Sequence, residues 1–202
     1  MNKLTKSAAG LMLALSALTF TSCDDDSDII GLNDAAKYGS IKVKIEGTRP
    51  DGEDYTLERT FKFASATGPE YSSSVYTSED GDIYRDFQIV RYFGAINESG
   101  EGGSNNVYLE VDSQEGEEIT SSGYFGIETP VITKDKQYFY VYEYFSINEE
   151  DVTSYSYNAE TGKLTFKFTK ELTADESYSD FPVTITGTAT VTVFERIQSG
   201  NL

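Results

Sequence analysis

Val183-Thr184-Ile185-Thr186-Gly187-Thr188-Ala189-Thr190-Val191-Thr192 alternates between an aliphatic and a threonine position almost without fault. A period of two sends successive side chains to opposite faces of an extended chain, which is the pattern of a half-buried β-strand. The pattern predicts a strand over residues 183–195, with Val183, Ile185, Ala189, Val191 and Val193 turned to a core and the threonines turned away. Gly187 interrupts it and predicts a bulge or a bend.

The same alternation recurs on either side. Upstream, residues 153–157 and 163–169 flank Asn158-Ala159-Glu160-Thr161-Gly162, a spacing that fits a type I turn closed by a left-handed Gly162. Residues 138–147 form a long aromatic strand, with Phe139, Val141, Glu143, Phe145 and Ile147 on one face and Tyr138, Tyr140, Tyr142 and Tyr144 on the other. Residues 107–111 and 83–93 read as further strands. Residues 41–46 and 55–63 form a hairpin around the turn chemistry of Pro50-Asp51-Gly52. Residues 64–77 read as a loop with a short strand near Val75, and residues 98–106 and 112–122 as loops, the latter acidic. Outside the first 22 residues no run of ten or more carries a helical repeat, although short helical turns fit near residues 149–151 and 173–176. The expectation is an all-β domain, an antiparallel β-sandwich, with a small lipocalin-like β-barrel as the alternative.

Composition narrows the function classes. The chain has 202 residues, 16 basic and 34 acidic, a net charge of -18, one cysteine, no histidine and no tryptophan. Such acidity opposes nucleic acid, whose phosphates are bound by Lys and Arg, and opposes electrostatic docking on anionic lipid. The missing histidine removes the commonest general acid–base and a common zinc ligand. One thiol makes no internal disulfide. There is no G-x-S-x-G elbow and no phosphate-binding glycine loop with its lysine; the glycines of residues 100–103 read as a hairpin tip. A non-catalytic protein without a cofactor or a bound metal is expected.

The beginning of the chain reads as an address. Lys3 and Lys6 precede an apolar run over residues 8–20, short for a bilayer span and about the length of a signal-peptide core. Phe20-Thr21-Ser22-Cys23 follows, and then Asp24-Asp25-Asp26-Ser27-Asp28. The first of these resembles the lipobox of bacterial lipoproteins, with Phe20 where leucine is usual. The second resembles the surface-export tract of Bacteroidota lipoproteins. The resemblance implies a signal peptide over 1–22, acylation of Cys23, a lipidated acidic tether over 23–40, and a single domain over 41–202. It implies an outer-membrane protein held by its lipid and surface-exposed, with a periplasm-facing one as the alternative. Cleavage would remove Lys3 and Lys6, leaving 14 basic residues (16 minus 2) against 34 acidic ones. Two acyl chains anchor stably where one is marginal.

Three groups of residues are candidates for chemistry. The tyrosines Tyr84, Tyr92, Tyr138, Tyr140, Tyr142 and Tyr144, with Tyr108, fall opposite the Ile, Val and Phe faces of their strands. Tyrosine offers a flat ring with a polar tip, suited to a glycan or to an envelope protein; cross-strand packing within the sheet is the structural alternative, and the lack of tryptophan disfavours a dedicated glycan platform. Glu143 falls on a core face and needs partners there, for which Arg85 or Arg91 is expected. The acidic segments 112–118 and 79–82 have oxygen ligands but no EF-hand spacing, and read as solvated loops. The leading expectation is a cell-envelope lipoprotein with a binding or accessory β-domain. The alternatives are a structural or assembly subunit of a surface complex and, third, a carboxylate-based hydrolase.

Overall fold

The computed structural model describes residues 38–63, 73–80, 82–94, 105–114 and 123–195. The expected signal peptide, Cys23 and the acidic tract lie outside these residues. The strands are β1 (Gly39–Thr48), β2 (Asp54–Lys62), β3 (Ser73–Asp80), β4 (Asp82–Tyr92), β5 (Asn106–Gln114), β6 (Gly123–Ile132), β7 (Tyr138–Ile147), β8 (Val152–Asn158), β9 (Lys163–Leu172), β10 (Val183–Thr192) and β11 (Phe194–Glu195). One 3-10 turn, Glu149–Asp151, joins β7 to β8. Every pairing is antiparallel except the short parallel contact of β11 with β3.

The pairing order is β7-β6-β5-β4-β2-β1-β10-β9-β8, and β4 also pairs with β3. The β2–β4 link is a single rung, Lys62 opposite Tyr92. The sheet folds there into two layers, β3 to β7 and β2-β1-β10-β9-β8. The layers meet face to face through Phe125 and Phe145 against Phe168, and through Phe87 against Tyr155 and Tyr157. Along β2, Tyr55 meets Phe139 of β7, Arg59 bonds Thr129 of β6 and Lys62 pairs with β4. β2 therefore runs across the strands facing it, as in orthogonal sheet packing. β7 and β8 do not pair, so the sheet is not closed. The architecture is the β-sandwich, and the barrel alternative is excluded.

Period-two burial runs through the strands as the sequence required. Ile41, Val43 and Ile45 of β1, and Val183, Ile185, Ala189 and Val191 of β10, are buried. Fully burying a side chain such as Ile or Phe is worth about 1.5–3 kcal/mol. β1 begins at Gly39, before the expected Ile41, and Tyr38 is buried with its ring against Phe63 and Phe194. Gly187 makes no bulge. Its register is regular, opposite Val43 and Phe168, and a Cβ there would overlap the Phe168 ring. Its role is close approach. Gly162 takes the left-handed conformation, φ +64°, as the turn demands. Residues 73–80, expected to be mostly loop, form β3, and Asp112 to Gln114 extend β5 into the expected acidic loop.

Arg91 and Glu143 do not pair. Arg91 is wholly buried and donates to the carbonyls of Tyr38 (2.7 Å), Gly39 (3.3 Å) and Val90 (2.8 Å) and to Ser73 Oγ (2.8 Å), with Phe63 under its guanidinium. Burial pulls its pKa down to about 9, so it stays charged at neutral pH. Glu143, 1% exposed, accepts from Ser177 Oγ (2.7 Å), Ser179 Oγ (2.8 Å) and the Tyr178 amide (3.0 Å). Arg85 stacks on the Tyr157 ring. Each of these buried side chains is satisfied by neighbouring polar groups rather than by the other, because Arg91 and Glu143 lie on strands separated by β5 and β6.

Candidate functional site

The outer face of the β3–β7 layer is built from alternate residues of each strand. Cross-strand register lays them out in rows. Tyr144 stands beside Gly126, then Tyr108, then Val90. The next row toward one end is Tyr142, Glu128, Asn106 and Tyr92; the next toward the other is Ser146, Tyr124, Glu110 and Gln88. Beyond it Asp112 pairs with Asp86, and Asp86 with Tyr76. Tyr84 follows, opposite Gln114.

Tyr84, Tyr124, Tyr138, Tyr140, Tyr142, Tyr144 and Tyr178 are all among the exposed large side chains. Tyr92 is half-buried at the fold between the layers. Gly126 explains the centre of the face: a Cβ there would come within 3.1 Å of the Tyr144 ring, so its absence lets that ring lie across β6. A neighbouring aromatic covering a strand glycine is a recognised stabilising device. Tyr144 stacks on Tyr124 with centroids 5.8 Å apart and planes 7° apart, and Tyr178 sets its edge on Tyr142 at 5.3 Å. Tyr138 and Tyr140 make a separate edge-to-face pair at the far corner, beside the exposed Ile132. The structure thus joins Tyr142 and Tyr144 to one patch, sets Tyr138 and Tyr140 apart, and puts Tyr84 at the opposite end.

Sequence reasoning missed what lies beside the central tyrosines. Carboxylate oxygens of Asp86, Glu110 and Asp112 lie within 4.8 Å of one another. Tyr108 donates its hydroxyl to Glu110, and Gln88 donates to Asp86 Oδ2 at 3.1 Å. Asp86 Oδ1 is buried and has no hydrogen-bond partner among the described residues. Desolvation, then repulsion from Glu110 and Asp112, raises the Asp86 pKa; desolvation also raises that of Asp112. Desolvation and a hydrogen bond to Asp112 push the Tyr84 phenol up to about 12. Three acids at this spacing have the hard-oxygen character that suits a cation. The available signal was the cross-strand register, which places Asp112 next to Asp86 although 26 positions separate them.

Recesses elsewhere among the described residues include two that bear on chemistry. One of about 170 Å³ sits between the β1–β2 and β6–β7 turns, bordered by the Arg49–Asp51 ion pair and Tyr138. The other, about 460 Å³, places Glu46 and Glu171 on either side of Thr184. Glu46 is ion-paired with Lys44 at 2.8 Å, and neither acid is buried. The chain matches no protein-family model, no curated protein and no solved structure.

Proposed function

We infer that this protein is a non-catalytic binding or accessory module of the cell envelope, held there by lipid on Cys23, and that it engages its ligand through the outer face of β4 to β7. The observation that carries this reading is the shelf of exposed tyrosines on the outer face, with Tyr124 stacked on Tyr144 and Tyr178, from the segment between β9 and β10, set edge-on against Tyr142. Exposed apolar area gathered on one face marks interaction surfaces, and tyrosine suits wet ones. The envelope address rests on the sequence alone, on the lipobox resemblance at residues 20–23 and the acidic run after it.

Two experiments test it. Cys23→Ser should abolish labelling by a palmitate analogue and release the chain from the membrane pellet; an unlabelled wild-type chain ends the lipoprotein reading. Tyr142→Ala with Tyr144→Ala should remove binding in a screen of polysaccharides and envelope proteins while the chain still folds and melts cooperatively, its melting temperature lowered by about 2–6 °C for the lost ring contacts. A ligand held equally well by the double variant ends the assignment of this face.

A further inference from the structure

The two outer faces differ in charge as well as in ring content. The described outward positions of β4 to β7 include Asp86, Glu110, Asp112 and Glu128 and no lysine or arginine; the nearest cation in register is Lys62, across from Tyr92 at the fold between layers. The opposite face, on β1, β2 and β9, carries Lys42, Lys44, Lys163 and Lys167, two of them offset by pairs with Glu58 (3.9 Å) and Glu46 (2.8 Å). The tyrosine shelf therefore sits in a local field that is negative without internal relief.

We propose that the outer face of β4 to β7 docks a basic polypeptide segment of another protein, whose Lys or Arg head groups are taken by Asp86, Glu110 and Asp112 and whose side-chain stems and guanidinium planes lie on Tyr124 and Tyr144. This rests on the preceding reading that the face is a binding surface, and adds the chemistry of the partner. Charge complementarity selects the occupant. A guanidinium can bond a carboxylate and lie on a phenol ring at once, joining an ion pair to a cation–π contact. Among the described residues Asp86 Oδ1 has no hydrogen-bond donor; it is closed to solvent, so an incoming cation meets the trio at Glu110 and Asp112 and acts on that oxygen through space. Desolvation, then repulsion from Glu110 and Asp112, raises the Asp86 pKa, and the repulsive part would be relieved by the same cation. A second copy of this chain is a poor occupant, because each copy carries a net charge of -18.

The test uses the detergent-solubilised full chain in EDTA, so that no divalent ion competes, with a fluorescein-labelled Arg-Gly repeat peptide as probe and a Glu-Gly repeat of equal length as control. Two triple variants change net charge by the same amount. One, D86N/E110Q/D112N, alters the face; the other, E53Q/E150Q/E160Q, alters exposed acids elsewhere. The face variant should weaken Arg-Gly binding at least about tenfold and flatten its salt dependence, the control variant less than about twofold. Y124A/Y144A should also weaken it, by about threefold or more. Equal losses from the two triples would show attraction to net charge only and overturn the proposal. Capture of a neutral polysaccharide that Y142A/Y144A abolishes, with Arg-Gly binding untouched by the face triple, would overturn the basic partner and leave the tyrosine face as a binding surface. Indifference of every probe to every variant would remove both. Circular dichroism melts confirm folding; losing like charges should leave the face triple at least as stable as wild type.

Discussion

The two layers of the sandwich have the same pleat and similar strands, 8–11 residues long in β3 to β7 and 7–10 in the other layer, yet they use their residues in different ways. In the β2-β1-β10-β9-β8 layer the buried side chains of β1, β10 and β9 are aliphatic or phenylalanine, β2 and β8 bring Tyr55, Arg59, Tyr155 and Tyr157 inward, and the outward positions are mostly Thr, Lys and Glu. In the β3–β7 layer the inward set includes two buried ionisable side chains, Arg91 and Glu143, and the outward set is tyrosine with crowded acids. The first layer contributes a hydrophobic slab with a solvated back. The second contributes the features whose rationale lies beyond folding: desolvated carboxylates and exposed aromatic area. Departures from local consistency concentrate where a protein does something besides fold.

Substitutions can break this contrast or sharpen it. The largest effect is expected in the plain layer, where close packing is the whole design. Gly187→Val would drive a side chain into the Phe168 ring and should cost at least about 3 kcal/mol in urea unfolding, or prevent folding. A loss below about 1 kcal/mol would mean that this half of the core yields easily. Next comes Arg91→Met, which keeps the bulk but strands the carbonyls of Tyr38 and Gly39 and the Ser73 hydroxyl. About 2–3 kcal/mol should be lost. An unchanged urea midpoint would place Arg91 among the replaceable buried charges.

Glu143→Ala should cost about 2 kcal/mol and, more tellingly, raise hydrogen exchange at the Tyr178 amide, which Glu143 now accepts. If exchange there stays slow, the loop is held by something other than this carboxylate. Last is a gain. Asp86 has a raised pKa in the folded state, so between its unfolded and folded values the native protein binds more protons than the unfolded chain. Its ionisation therefore weakens the fold as pH rises through the folded value. Asp86→Asn should raise the melting temperature at pH 7 by about 1–3 °C, with the advantage gone near the unfolded carboxylate pKa, about 4. Thr188→Ser on the other face should stay within about 0.5 kcal/mol at either pH. Equal behaviour of the two faces would dissolve the contrast.

Much of the fold was legible because burial on one side writes itself into a strand as alternation. β1, β2, β4, β5, β7, β8, β9 and β10 all carried that mark. β3 did not, since Ser73-Ser74-Val75-Tyr76-Thr77 offers too little apolar contrast, although Ser73 and Val75 are buried. β6 was harder still. Its inward residues are Gly123, Phe125, Ile127, Thr129 and Val131, but Gly126 and Pro130 stand between them as in a loop. Pro130 is tolerated because it lies past the last β5–β6 rung, at Asn106 and Glu128. The outward tyrosines followed from alternation alone. The acidic trio and the partners of Arg91 and Glu143 could not, because alternation fixes which face a residue takes and says nothing about which strand lies next to it.

The Arg91 guanidinium has a mechanical consequence. It grips the carbonyls of Tyr38 and Gly39, the backbone at which the described chain enters its first strand. Any pull transmitted through the residues before Tyr38 therefore meets a buried cation before it reaches the first ladder rung, Gly39 with Val191. A domain tugged from that side would let go at this clasp first, and the force needed to open it would set how hard the rest of the sandwich can be dragged.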